Sequence, residues 1–306
     1  HIPAVCLYPE TTNALPLLNL TTATSKVFRP GTGKVERAEF IFTRSGDVSR
    51  PLALNLNWSG SAKPGVDYAA LPQQAVFKAD AKELRLSVKP KAAERLAPTV
   101  EVTLAPQPSA DFLMDGTEGA VSLSIMDGRA ARLEVANITV SSDWKASWGR
   151  MNLNEKHLRR LVDGSGLDCS TDPPTHDARV DTQWFAECAE ADHTELVFDL
   201  GACCELADVY VWNANLTSRH GGGWGDGNTV RHWIRKLNVQ VAEQADGPWQ
   251  DVTTVRMLRP SGKTGEPGQR IPLGVRGRFV RFRSVDRTEM HCIGLSEVEF
   301  YGSKTD

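Results

Sequence analysis

The sequence predicts an all-β chain folded as two successive β-sandwiches. Three observations predict it. Short alternating or β-rich runs recur along the first half, each bounded by Gly, Pro, Asp or Ser. The second half carries long apolar strand runs, ELVFDLGACCELADVYVW (195–212) and GLSEVEFYG (294–302). The stretch with most helical character, NEKHLRRLVDG, is short enough for only one or two turns, with Asn154 as its cap.

The first-half strands are read at VERAEFIFTRSG, PLALNLNWSG, ELRLSVKPK, TVEVTLAPQ and AVSLSIMDG. Their near-regular spacing suits a sandwich of about a hundred residues. The pattern changes near residues 127–134, where MDGRAARLEV closes one strand and opens the next. The domains are therefore set at 1–130 and 131–306. In the second, a strand ending at Asp199-Leu200-Gly201, a strand ending at Trp212-Asn213 and a last strand over 294–302 frame a recognition module.

Composition narrows the function. Hydrophobic residues at 41% and charged residues at 24% are ordinary for a globular chain, so disorder is not expected. A net charge of −3 gives no general pull toward nucleic acid, and Arg276, Arg278, Arg281 and Arg283 lie along one predicted strand, as a solvated face would. No run approaches the roughly 20 apolar residues of a membrane span. No signal-peptide pattern opens the chain, which begins at His1, so a piece of a larger polypeptide is expected. The six cysteines form no CxxC pair, which speaks against a structural zinc site. Their even number fits an oxidising, secreted or cell-surface setting. Cys169–Cys188 is the first expected bridge, and Cys203 or Cys204 with Cys292 the second; free thiols are the alternative.

Two family resemblances follow from particular motifs. FTRSGD (42–47), GSAKPGVDYAAL (60–71), AVFKADAKELRLSV (75–88) and VSLSIMDG (121–128) make the first half resemble a Calx-β domain, an immunoglobulin-like sandwich. Gly65 allows a turn after Pro64, and Tyr68 can bury its ring at a sandwich end. Calcium-binding members carry acidic runs where this chain has the basic KPKAAERLAP (89–98), so the resemblance implies a spacer here. The second half resembles the discoidin, or coagulation factor 5/8 type C, family. ITVSSDW (138–144), LVDGSGLD (161–168), THDARVDTQW (175–184), LVFDLG (196–201), VYVWNAN (209–215), RFVRFRSV (278–285) and GLSEVEFYG (294–302) carry it, in order. That resemblance implies a jelly-roll sandwich of the kind found in bacterial carbohydrate-binding modules.

Three constellations could carry chemistry, the third being the His176-Asp177 and Asp181–Trp184 stretch, which could line the same loop end as the second. In LVDGSGLD, Asp163, Ser165 and Asp168 offer hard oxygens on an irregular loop, as calcium requires. The discoidin resemblance adds Glu297 and the carbonyls of Arg160 and Ser296, and implies a structural calcium pinning the loop to the last strand. The alternative is an Asp-Gly turn bonded to its own backbone. The second constellation is the insertion WNANLTSRHGGGWGDGNTVRHWIRKL (212–237), whose Trp224, Arg219, His220, Asn215, Arg231, His232 and Trp233 are the candidate ligand contacts. Aromatic faces stack on pyranose rings, and guanidinium groups pair with anionic oxygens, which suits an acidic or sulfated glycan. Trp212 and Trp184 read better as core, and Asn213 and Asn215 have the alternative of satisfying backbone groups at the strand end. No catalytic grouping emerges, and Gly164-Ser165-Gly166 is a turn. The expectation is a non-catalytic carbohydrate-binding protein. A structural spacer or protein-interaction module is the alternative, with lipid binding behind both.

Overall fold

A computed structural model describes residues 15–115, 119–141, 155–186, 194–217, 230–287 and 293–305, with the backbone alone at 155, 156, 217, 231 and 287. The chain divides into two compact units. One comprises residues up to Glu94 with Thr99–Gly128, and the other Arg95–Pro98 with the chain from Arg129 onward.

The first unit contains β1 (Leu17–Thr22), β2 (Lys26–Phe28), β3 (Ala38–Ser45), β4 (Leu52–Ser59), β5 (Gln74–Phe77), β6 (Glu83–Val88), β7 (Val100–Pro106), β8 (Leu113–Met114) and β9 (Val121–Met126). They form two sheets, ordered β6-β3-β1-β8 and β2-β9-β7-β4-β5. The strands alternate as their sequences do. In β4, Leu52, Leu54 and Leu56 are buried while Ala53, Asn55 and Asn57 face out. These leucines pack with Phe40, Phe42, Phe77 and Val102 as one apolar core. Tyr68 is buried there, as its place in the Gly-Val-Asp-Tyr turn suggested. The motif FTRSGD supplies more than a strand end. Arg44 is buried, and its guanidinium donates to the carbonyls of Ala81, Arg50, Val48 and Lys78 while lying 5.0 Å from the Phe77 ring centre. It ties two loops together through their carbonyls, two of which, those of Val48 and Lys78, also accept from the backbone N–H of Asp80 and Ala81.

The second unit contains β10 (Ala131–Leu133), β11 (Asn137–Val140), β12 (Leu167–Asp168), β13 (Thr175–His176), β14 (Trp184–Phe185), β15 (Glu195–Asn213), β16 (Leu216–Thr217), β17 (Val230–Arg231), β18 (Ile234–Ala242), β19 (Gln250–Arg256), β20 (Glu266–Pro267), β21 (Gln269–Arg287) and β22 (Gly294–Lys304). The expected short helix is a 3₁₀ segment at Glu155–Leu161, and its cap Asn154 lies outside the described residues. The principal sheet runs β10-β22-β15-β21-β18-β19, with β11 beside β15 and β14 beside β22. Phe198, Phe282 and Phe300 meet edge to face at its centre, with ring centres 5.1 and 5.2 Å from Phe198.

The two strands read at 195–201 and 205–213 are one strand, β15. Its register with β21 shifts between Asp199 and Cys204, and Gly201 there adopts φ +77°. The chain bends at this bulge without leaving its partner, so both halves stay in one ladder.

Neither expected disulfide is formed, because Cys169, Cys203 and Cys204 are free thiols. For the second pairing, Cys204 is buried and Cys203 partly so, and their expected partner Cys292 lies outside the described residues. Cys169 is exposed, and its expected partner Cys188 lies outside the described residues.

Candidate functional site

The loops at one end of the second unit gather around the end of β15. Trp212 is fully buried there. Its indole Nε1 donates to the Pro174 carbonyl, and its ring stacks on Tyr210. Gly268 lies so close to that ring that an added Cβ would sit 2.6 Å from Trp212 Cε2. Asn213 follows. Its Oδ1 accepts from the backbone N–H of Ala214 and Ile234, and its Nδ2 donates to the Ile234 carbonyl. Trp184 is also fully buried.

Asn215, expected to face a ligand, is instead completely buried. Its Oδ1 accepts from Gly262 N–H at 2.6 Å, its Nδ2 donates to the Lys263 carbonyl at 2.7 Å, and its own N–H donates to Gln183 Oε1. The alternation of β15 stops here, and the polar side chain turns in to satisfy backbone groups of neighbouring loops. Asn215 therefore positions the loop end without contacting what lies outside it.

The insertion itself is closed by β16 and β17, which pair Leu216 with Arg231 and Thr217 with Val230. Arg219, His220 and Trp224 belong to the segment so closed and lie outside the described residues, as does the Arg231 side chain. Beyond β17, His232 adopts φ +67°, and its carbonyl accepts from Gly294 N–H. Its ring meets Phe185 edge to face at 5.8 Å. Trp233 is partly exposed, with the Arg235 guanidinium 5.9 Å from its ring centre. Sequence reading missed Arg235, although a residue two places from Trp233 on a strand shares its face. Nearby, His176 is buried with its Nδ1 on the Asp177 carbonyl, and Thr182 Oγ1 donates to Asp177 Oδ1 at 2.6 Å.

The residues expected to hold calcium divide into two groups. Glu297, on β22, is fully buried, and both its carboxylate oxygens accept from Gly164 N–H at 3.1 Å. Burial pushes its pKa up to about 9, and the neighbouring Asp163 and Glu299 add to the rise; Gly164 N–H and Arg132 oppose it. Ser165 Oγ is buried without a partner, while Ser165 N–H donates to Asp163 Oδ1. These groups suit a hard cation. One would add to the counter-charge of Arg132, 3.7 Å from Glu297 Oε1, and give the hydroxyl the partner it lacks among the described residues. Asp168 behaves differently: its Oδ1 accepts from both Ser170 N–H and Ser170 Oγ in an exposed turn. Ser296 Oγ donates to the Asn213 carbonyl, and Arg160 donates to that of Gln183, which leaves their own carbonyls as the only expected ligand atoms. Among the described residues no three His, Cys, Asp or Glu side chains gather at a metal-holding distance. A cation here would draw on backbone and hydroxyl oxygens as well as Asp163 and Glu297.

No protein-family model matches the chain, and no curated protein does. Solved structures similar to it include a family 32 carbohydrate-binding module (CBM32) of AlyQ in complex with 4,5-unsaturated mannuronic acid. That one is 14% identical with TM-score 0.34, over 56% of this chain and 97% of that one. The family 32 module of Clostridium perfringens NanJ in complex with galactose is 10% identical with TM-score 0.33, over 54% and 92%. A truncated AlyQ with CBM32 and alginate lyase domains gives 13% and 0.36, and this chain spans 34% of its length. A two-domain protein of unknown function from Bacteroides fragilis gives 12% and 0.31, over 94% of each chain. Among the described residues no helix is long and apolar enough to cross a membrane.

Proposed function

We propose that this chain is a non-catalytic carbohydrate-binding portion of a larger secreted or cell-surface protein, with an acidic or sulfated glycan as ligand. One observation carries the reading: partly exposed Trp233 stands beside the Arg235 guanidinium at the base of an insertion rich in Trp and Arg. An indole face stacks on the apolar side of a sugar ring, and a guanidinium pairs with a carboxylate or sulfate on it. Trp224, Arg219, His220 and Arg231 extend the same chemistry along the segment closed by β16 and β17. His232 flanks it, and Asn215 holds the floor.

Calcium, in this reading, binds at Asp163, Ser165 and Glu297 with the carbonyls of Arg160 and Ser296, and Asp168 turns in to join them. Its role is structural. It neutralises Glu297 and fixes the loop to β22. The first unit, with its Calx-β-like motifs, serves as a spacer. Calorimetry on the folded chain with oligogalacturonate tests the reading. Binding weakened by Trp233→Ala at an unchanged melting temperature supports it. Binding indifferent to Trp233 and Trp224 substitution overturns it.

A further inference from the structure

A second recess opens on the outer face of the principal sheet, further along β18 than Arg235 and sharing no lining residue with the loop-end site. It encloses about 350 Å³ and is lined by Asn238, Gln240, Asp251, Thr254, Arg283 and Ser284, among others. That volume lies at the lower end of the range for small-molecule sites. Strand alternation builds it. Leu237, Val239 and Val241 point into the core, so Asn238 and Gln240 face outward. Register then places Asn238 between Arg283 and Thr254, and Gln240 between Arg281 and Asp251.

The side chains are locked to one another. Arg281 Nε donates to Gln240 Oε1 at 2.7 Å, and Gln240 Nε2 donates to Asp251 Oδ1 at 2.9 Å. Asn238 Nδ2 donates to Asp251 Oδ1 and to Thr254 Oγ1. Glu195 takes Arg281 on one oxygen and Arg283 on the other. Behind them the Arg281 guanidinium lies 4.3 Å from the Trp249 ring centre. Gln240 is only 7% exposed, so it fixes the floor of the recess.

These bonds leave a defined set of open valences. Asp251 Oδ2, Asn238 Oδ1 and the terminal amino groups of Arg283 have no hydrogen-bond partner among the described residues. They offer two acceptors and one donor fork to whatever enters the recess, on side chains already tied to their neighbours. Arg281 and Arg283 are balanced by Glu195 and Asp251, so the recess has no net charge with which to favour an ion. A hydroxyl both donates and accepts, and a vicinal diol presents two at the spacing of adjacent polar groups. We propose that this recess is a second saccharide site, for a neutral glycan chain, on the sheet face and independent of the loop end.

Calorimetry on the full chain with cellohexaose, xylohexaose, mannohexaose and maltohexaose tests this, alongside Arg283→Gln, Asp251→Asn and Trp233→Ala, with circular dichroism to show that each variant is folded. At least one neutral hexasaccharide is expected to bind. Arg283→Gln and Asp251→Asn each weaken it about tenfold or more, the usual size for a lost charge-assisted hydrogen bond. Trp233→Ala leaves that affinity unchanged. The proposal is overturned if no neutral hexasaccharide binds, or if binding ignores both sheet-face substitutions. Oligogalacturonate binding without any neutral binding overturns it too, while leaving the loop-end reading intact.

Discussion

Replacing Asn215 with alanine separates a positioning role from a contact role. The substitution removes two short hydrogen bonds made inside the protein, Gly262 N–H to Oδ1 and Nδ2 to the Lys263 carbonyl, and a long one of 3.5 Å from Nδ2 to the Asp177 carbonyl. Each orphaned backbone group costs about 1–3 kcal/mol when it stays dry. Lys263 is exposed and Gly262 partly so, which lets water recover part of that loss. The net expectation is about 2–3 kcal/mol. For a domain of this size that lowers Tm by roughly 4–12 °C. Tryptophan fluorescence reports the right unit, because Trp184, Trp212, Trp233 and Trp249 all lie in it. Thermal melts of wild type and Asn215→Ala, followed by oligogalacturonate titration well below both midpoints, make the comparison. A lowered midpoint with weak or modest change in affinity is the expected result. An unchanged midpoint with binding abolished would show that Asn215 touches the ligand, and would refute the reasoning.

Gly268→Ala drives a Cβ to within 2.6 Å of the Trp212 ring, so it lowers stability by about 1–3 kcal/mol or prevents folding; urea melts check this. Arg44→Met takes the guanidinium partner from the Ala81 and Arg50 carbonyls, while those of Val48 and Lys78 keep a backbone donor, and destabilises the first unit by about 2–5 kcal/mol, visible as an earlier transition by circular dichroism. Chelation with EDTA lowers the melting temperature of wild type but not of Asp163→Ala, whose own midpoint is already low; identical curves with and without chelator remove calcium from the account. Acid weakens the second unit through His157. Burial, with Arg160 adding, depresses its pKa to about 4, so the unfolded chain takes up the proton first as pH falls below about 6.5. Stability present at pH 7 is lost toward pH 4, by about 3 kcal/mol, and His157→Leu flattens that limb of the urea-melt profile; equal slopes would remove His157 as the cause.

Strand positions were legible wherever one face is buried, because alternation then appears in the residues themselves. The leucines of β4 and the run VSLSIM of β9 are examples. Continuity was not legible. The sequence reads as one strand ending at Gly201 and another ending at Asn213, and only the pairing of both halves with β21 joins them across a bulge. The cysteine pairings were not legible, because a count of cysteines carries no distance; Cys169, Cys203 and Cys204 are free thiols. At the site, Trp212 and Trp184 followed the simple rule that an apolar run buries its aromatic, and Asn213 and Asn215 took the alternative of satisfying backbone groups. Which groups Asn215 serves was not legible, because its partners Gln183, Gly262 and Lys263 are distant in sequence. The Arg281–Gln240–Asp251 chain was hidden for the same reason, since it crosses three strands.

The central claim is that the second unit presents its tryptophan-and-arginine insertion to a sugar. A glycan array probed with the intact, folded chain, in parallel with a Trp224→Ala/Trp233→Ala double variant, tests it most directly. The account predicts retention of uronic-acid or sulfated glycans by the wild type and their loss from the double variant. Wild-type protein that binds no glycan, or a double variant that binds the same ones equally well, would contradict it.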